Sequence, residues 1–340
     1  MKSTNKKQEL LVFAKYIIPL IISVGLCYLL FTGIDFAEMV SIIRYQCDFR
    51  WIGLMLVISI LSHIFRALRW GIQLSALDIN VPKYALIFSI FGTYAVNLVF
   101  PRLGEFWRTG YIAQRQKKSF ATVLGSMLSD RLTDTLTVIL MTGITFILAA
   151  DALTAYITEN SSAYVAVVNI LYSPWLWLTL LAIVVCVAIF MRRKTDNKIV
   201  RSLQNTIKNL WQGFVVILTM PRKGLWLLLT IGVWGCYFMQ MYVSFYAFPF
   251  TENILHEYGA LAVLVTFVMS SIAMGVPSNG GIGPWQWAVI FALGIYGLDK
   301  APASAFANLV LGCNTLLLIV LGIVTFIGIA IDNKKQKNIN

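Results

Sequence analysis

Apolar runs long enough to cross a bilayer as single helices recur along the chain and leave it few ways to fold. Six of them are uninterrupted, at 16–33, 51–74, 120–149, 173–191, 224–248 and 301–331. One crossing of the hydrocarbon core takes about 17–25 predominantly apolar residues. Lipid offers no hydrogen bonds to a backbone, so such runs become helices that satisfy their own N–H and C=O groups. Composition agrees: 59% of the 340 residues are hydrophobic and 12% charged, about half the charged share of a soluble domain. The first run is long for a signal-peptide core and lacks a small-residue cleavage site. It is therefore expected to stay as a helix.

Two more apolar stretches are broken. Residues 83–114 contain Pro101 and Gly104, and residues 258–298 contain Pro277, Gly280, Gly281, Gly283 and Pro284. A break frees backbone groups that lipid cannot satisfy, so it must lie against protein or line a wet cavity. If both stretches are re-entrant hairpins, 22 of the 27 Lys and Arg fall on one side of the membrane. Arg44, Arg50 and Lys300 fall on the other, and Arg102 and Arg131 lie within it. The positive-inside bias then places both termini in the cytoplasm. If the stretches crossed fully, the basic 108–118 segment would be exported. The expected fold is an all-α integral membrane protein in one domain, with six full transmembrane helices and two oppositely oriented re-entrant broken-helix hairpins, N-in and C-in. Each hairpin carries P-x-x-G at its tip, Pro101–Gly104 and Pro277–Gly280, followed by Trp107 or Trp285. That pairing suggests inverted repeats whose broken helices meet near the midplane.

Several function classes recede at this point. A net charge of +12 would suggest nucleic acid in a soluble protein, but here the basic residues sit where topology requires them, so no nucleic-acid partner is expected. The five cysteines form no CxxC or metal spacing and only two histidines exist, so neither a metal site nor a cofactor is expected. Segment 192–223 contains an amphipathic helix at about 197–220, with Ile199, Leu203, Ile207, Leu210, Trp211 and Phe214 on one face and Lys198, Arg201 and Lys208 between them. It suits either an anionic inner leaflet or a place packed beneath the bundle.

The polar residues inside the spans carry the chemistry. An ionised side chain at mid-bilayer costs roughly 2.5–3.5 kcal/mol on insertion scales, so a cluster of them needs a reason. Ser126, Asp130, Thr133, Asp134 and Thr137 recur every three or four residues and fall on one helical face. They read as the lining of a hydrophilic path or as ion-pair glue between helices. Two carboxylates on one face require an answering charge, and Arg131, on the flank, can pair with a neighbouring segment. The first tip offers Asn97, Arg102, Glu105 and Arg108. Guanidiniums at a helix break suit a phosphate-bearing headgroup, while an Arg–Glu–Arg network closed on itself is the rival reading. The second tip offers Ser278, Asn279, Gly280, Gly281 and Gly283, mostly backbone groups open to close approach. His63, Arg66 and Arg69, followed by Trp70, end the second run. Arg and Trp there are expected to anchor the helix at the interface, and His63 to be hydrogen-bonded within the bundle.

Together R-A-L-R-W (66–70), N-x-x-x-P-R-x-G-E-x-x-R (97–108), D-R-L-T-D (130–134) and P-S-N-G-G-I-G (277–283) resemble the lysylphosphatidylglycerol synthase transmembrane-region family, whose members are also called flippase-like domain proteins. The resemblance covers roughly residues 10–330. It implies a multi-pass protein of the bacterial inner membrane that moves a polar phospho- or aminoacyl-lipid between leaflets and is not itself an enzyme. Membrane phospholipids are the implied partners, and a separate lipid synthase and self-association are left open. Asn97, Arg102, Glu105, Arg108, Asp130, Asp134, Ser278, Asn279, Gly280 and Gly281 would bind substrate. His63, Arg66, Arg69, Arg131, Pro101, Gly104, Pro277 and Gly283 would serve structure or relay. Where the family often has a glutamate, this chain has Gln286. A lipid-modifying transferase using Glu105 or Asp130 as base, and a non-catalytic scaffold for an envelope lipid synthase, are the competing functions.

Overall fold

The computed structural model describes residues 36–149, 178, 198–216, 220–276 and 278–337, and these are helical with short connections. Four of the six expected full spans lie in this range, as α2 (Phe49–Ser75), α5 (Phe120–Leu148), α7 (Lys223–Phe245) and α11 (Lys300–Lys337). Each contains an apolar stretch of membrane-crossing length. The expected spans at 16–33 and 173–191, and Pro277, fall outside the described residues, residue 178 apart. An α-helix not anticipated from the sequence, α1 (Phe36–Gln46), precedes α2. Asp48 caps α2 by accepting the Arg50 N–H at 3.0 Å, which satisfies one of the amides that a helix start leaves free.

The stretch 83–114 forms two helices, α3 (Lys83–Val99) and α4 (Leu103–Arg115), folded against each other. Phe100 is extended, as the residue before a proline prefers. Arg102 is left-handed at φ 64°, a conformation unfavourable to a side chain by about 1–2 kcal/mol. The turn is held by side chains from both arms. Asn97 Oδ1 accepts the Gly104 N–H at 2.8 Å, and its Nδ2 donates to Glu105 at 3.2 Å. Trp107 lies over Gly92, stacks on Tyr111 at 5.6 Å and meets the edge of Phe326.

The second broken stretch begins earlier than the sequence suggested. After α7, a short helix α8 (Pro249–Tyr258) starts with proline in its first turn. At Gly259 the chain bends by 112° into α9 (Ala260–Ala273). Gly259 has a positive φ, which glycine adopts without steric cost. A break of several residues then leads to α10 (Pro284–Ile295), which packs against α9. The amphipathic segment forms α6 (Lys198–Phe214) and rests against α5, with Trp211 exposed.

Two apolar cores result. One gathers Ala67, Trp70, Leu74, Leu86, Ile90, Ile112 and Met127 around the first hairpin. The other gathers residues of α1, α7, α8, α9, α10 and α11 around the second. Three long helices join them. The first, α2, packs along α7 and touches α3, α5 and α11; α5 touches α4 and α9; α11 runs beside α3 and α10. A polar clasp ties α11 to the first hairpin, where Asp332 pairs with Arg115 and accepts from the Tyr84 hydroxyl.

Candidate functional site

The polar residues of α2, α4 and α5 face one another. On α2, His63, Arg66, Arg69 and Gln73 recur at three- and four-residue spacing, which puts them on one side of the helix. On α5 the corresponding stripe is Ser126, Asp130, Thr133 and Asp134, all buried. Between them Arg69 Nη2 donates to Asp130 at 2.6 Å and to Asp134 at 2.9 Å, and Arg66 Nη1 donates to Asp134 at 2.7 Å. From α4, Arg108 reaches the other Asp130 oxygen at 3.3 Å and lies 4.5 Å over the Trp70 ring. Glu105 takes Arg131 Nη2 at 2.7 Å. Four guanidiniums and three carboxylates thus form one network, with a surplus of one positive charge.

Arg66 and Arg69 correct the sequence expectation. They do not reach for the interface but are 3% and 0% exposed, and Trp70 is sealed as well. The carboxylates of α5 hold them: two aspartates close together on an apolar helix need cations, and α2 supplies them from one turn to the next. His63 is a second correction. Neither of its ring nitrogens is hydrogen-bonded, and it packs on the Tyr94 ring at 4.4 Å and the edge of Phe91 at 6.2 Å. Two residues not anticipated close this side, since Tyr237 accepts Arg66 Nε–H at 3.2 Å and contacts the Tyr94 hydroxyl at 3.3 Å. Gln73 was also missed. It stands one turn beyond Arg69, and continuing the His63–Arg66–Arg69 stripe by four residues would have found it.

The expected headgroup ligands are occupied by protein. Arg108 is fully buried, Glu105 is shared between Arg131 and Asn97, and Arg102 is engaged by the opposite hairpin. The Arg–Glu–Arg network closed on itself is not formed either: Glu105 takes Arg131 of α5, Arg108 takes Asp130, and Arg102 binds the Met274 and Gly275 carbonyls. The ion network is incompletely satisfied even so. Among the described residues, Nε and Nη1 of both Arg69 and Arg108, the Gln73 amide and the Trp70 indole N–H have no partner. Buried donors without acceptors cost about 1–3 kcal/mol each, so these side chains gain from any rearrangement that brings them an acceptor.

The two tips touch. Arg102 Nη2 donates to the carbonyls of Met274 (2.7 Å) and Gly275 (2.9 Å), the carbonyls that the end of α9 leaves without intrahelical partners. Asn279 Nδ2 reaches Val99 O at 3.4 Å. Gly280, at φ 62°, lies so close to Leu98 that a Cβ would stand 2.5 Å from its Cδ2. Ser278 Oγ donates to Val276 O at 3.4 Å, while Gly281 and Gly283 are buried at the turn. Gln286 fixes the start of α10. Its Oε1 accepts the Gly283 N–H at 2.9 Å and its Nε2 donates to Asn308 of α11. Gln286→Glu is therefore expected to destabilise the protein. A carboxylate keeps the Gly283 contact but cannot donate to Asn308. If the Asn308 amide turns to donate instead, its bond to Ser304 O is lost. One hydrogen bond disappears either way, about 1–3 kcal/mol for a buried group, readable as a lowered midpoint of thermal unfolding in detergent. Among the described residues no group of His, Cys, Asp or Glu is arranged to hold a metal.

Membrane-length helices around a buried ion network, with a helix break at its edge, define a multi-pass membrane protein whose interior is built for more than anchoring. Residues 16–322 match the model of the lysylphosphatidylglycerol synthase transmembrane region, and the chain belongs to that family. Membership links it to membrane lipid metabolism. No curated protein and no solved structure matches the chain.

Proposed function

We propose that the protein translocates a polar phospho- or aminoacyl-lipid between the leaflets of a bacterial inner membrane, without modifying it. The observation that carries this reading is the contact between two helical hairpins at their tips, beside a buried network of seven ionised groups. Neither arm of one hairpin packs alongside an arm of the other, which supports entry from opposite faces as in inverted repeats. In that arrangement the Arg102 contact closes the passage between the tips. A headgroup phosphate would compete for Arg102 and, as the tips part, for the unpaired N–H groups of Arg69 and Arg108, while the acyl tails stay in lipid. Asp130 and Asp134 hold the arginines in place between turnovers. Glu105 is bound by Arg131 and Asn97, which argues against its acting as a free general base and so against a transferase.

Purified protein in vesicles carrying a tail-labelled phospholipid tests this. Dithionite should bleach label that was initially in the inner leaflet faster than in protein-free vesicles. Arg102→Ala should change that rate, and phospholipid recovered from parallel vesicles that received no dithionite should have unaltered mass. Bleaching no faster than in empty vesicles would sink the transport reading, and a changed lipid mass would establish the transferase.

A further inference from the structure

The ion network has one open side. Arg66, Arg69 and Arg108 have side chains no more than 4% exposed, whereas Arg131 is 29% exposed. Arg131 holds Glu105 with Nη2, lies 3.8 Å from Asp134 through Nη1, and leaves Nε without a partner. It also flanks a ridge of outward-facing apolar residues on its own helix. Leu128, Leu132, Leu136 and Ile139 are all exposed, and Phe106 of α4 is exposed beside the Glu105 partner. From Leu128 to Ile139 the ridge runs about 16 Å at the α-helical rise, close to half of the roughly 30 Å hydrocarbon core. A guanidinium on the flank of an apolar strip one leaflet deep matches the outline of a single lipid.

We infer that the seam between α4 and α5 is the lateral entry for substrate, where one anionic diacyl phospholipid lays its tails on the Leu128–Ile139 ridge and its phosphate against Arg131. This rests on the transport reading above and names the route and the headgroup charge. The charge follows from the network: four arginines against three carboxylates leave one positive charge unanswered, and Arg131 is the member open to a ligand. Its Glu105 contact is the one a phosphate would replace, handing Glu105 to Asn97 alone. Among the described residues, the exposed cations beside apolar strips of α2 and α7, Arg50 and Lys223, stand at the helix starts and outside the ion network, and α11 carries none along its apolar stretch. Val320 on α11, for example, is 56% exposed and has no charged residue within nine positions on either side.

The test places a photo-crosslinking amino acid at position 132 or, for comparison, at position 320 of the full chain, in vesicles containing a clickable phosphatidylglycerol. Labelling at 132 should exceed that at 320 severalfold and be competed by unlabelled phosphatidylglycerol but not by inorganic phosphate. It should fall severalfold in Arg131→Gln and persist in Arg131→Lys, with labelling at 320 unchanged in both. Equal labelling at the two positions, indifference to Arg131→Gln, loss in Arg131→Lys as well, or competition by inorganic phosphate would each overturn the inference. The readout is binding and not movement. Labelling without transport would therefore overturn only the transport reading, and transport without Arg131-dependent labelling only the lateral entry.

Discussion

Asp130→Ala is expected to leave little folded protein. Asp130 is completely buried and accepts from Arg69 at 2.6 Å and Arg108 at 3.3 Å. Removing it strands two fully buried guanidiniums at once. Breaking one buried ion pair by deleting a partner costs about 3–5 kcal/mol, against a total stability of about 5–15 kcal/mol. Arg69 keeps Asp134, but among the described residues Arg108 keeps no other carboxylate within salt-bridge distance. Fluorescence-detected size exclusion of detergent extracts should show the loss of the monodisperse peak. Arg131→Gln, at the open edge of the same network, should retain it, because a glutamine amide can still donate to Glu105, which also keeps its bond from Asn97. Arg69→Met added to Asp130→Ala should cost much less than Arg69→Met alone, since the charge it removes is already unpaired. Additive losses would mean that Asp130 and Arg69 are not partners.

That network shows where the sequence was legible and where it was not. The α5 stripe could be read directly, because helical periodicity alone puts Asp130 and Asp134 on one face and their repulsion demands cations. The identity of those cations could not be read from α5. Arg66 and Arg69 were assigned to the interface because they stand near the end of an apolar run, where snorkelling is the ordinary behaviour. The contrary signal lay in the residues around them, since Ser59, Ser62, His63 and Gln73 extend the polar face through about four turns, and an interfacial anchor has no use for polar groups that deep. The breaks at Pro101 and Gly280 were visible for a local reason, the helix-breaking residue itself. The Arg102 contact with Met274 and Gly275 was not, because it joins positions 172 and 173 residues apart and pairs a side chain with backbone carbonyls that carry no sequence signature. The start of α8 was marked by Pro249, but residues 249–257 lay between the run 224–248 and the stretch 258–298 and, with Thr251, Glu252, Asn253, His256 and Glu257, were too polar to read as part of a span.

Gly104→Ala should open the first hairpin, and its effect separates backbone crowding from helix propensity. A Cβ at residue 104 would stand 2.0 Å from the Thr93 carbonyl oxygen, 2.8 Å from its carbon and 2.9 Å from Asn97 Oδ1. The first two are backbone atoms of the facing helix, so no side-chain rotation relieves the clash and the arms must part by an ångström or more. Overpacking of this kind costs about 1–3 kcal/mol or more. Here it also breaks the Gly104–Asn97 hydrogen bond and draws Glu105 and Arg108, one and four residues on, away from Arg131 and Asp130. Gly110→Ala on the same helix is the control, because its nearest neighbour, Phe120 Cε2, is 3.9 Å away. Both substitutions gain the roughly 1 kcal/mol by which alanine exceeds glycine inside a helix. Thermal unfolding midpoints should therefore move in opposite directions, down for Gly104→Ala and level or up for Gly110→Ala. Lipid movement in vesicles should be lost with the first and kept with the second. Matching midpoints would show that α3 and α4 do not cross backbone to backbone at Gly104, and the site built on that crossing would have to be redrawn.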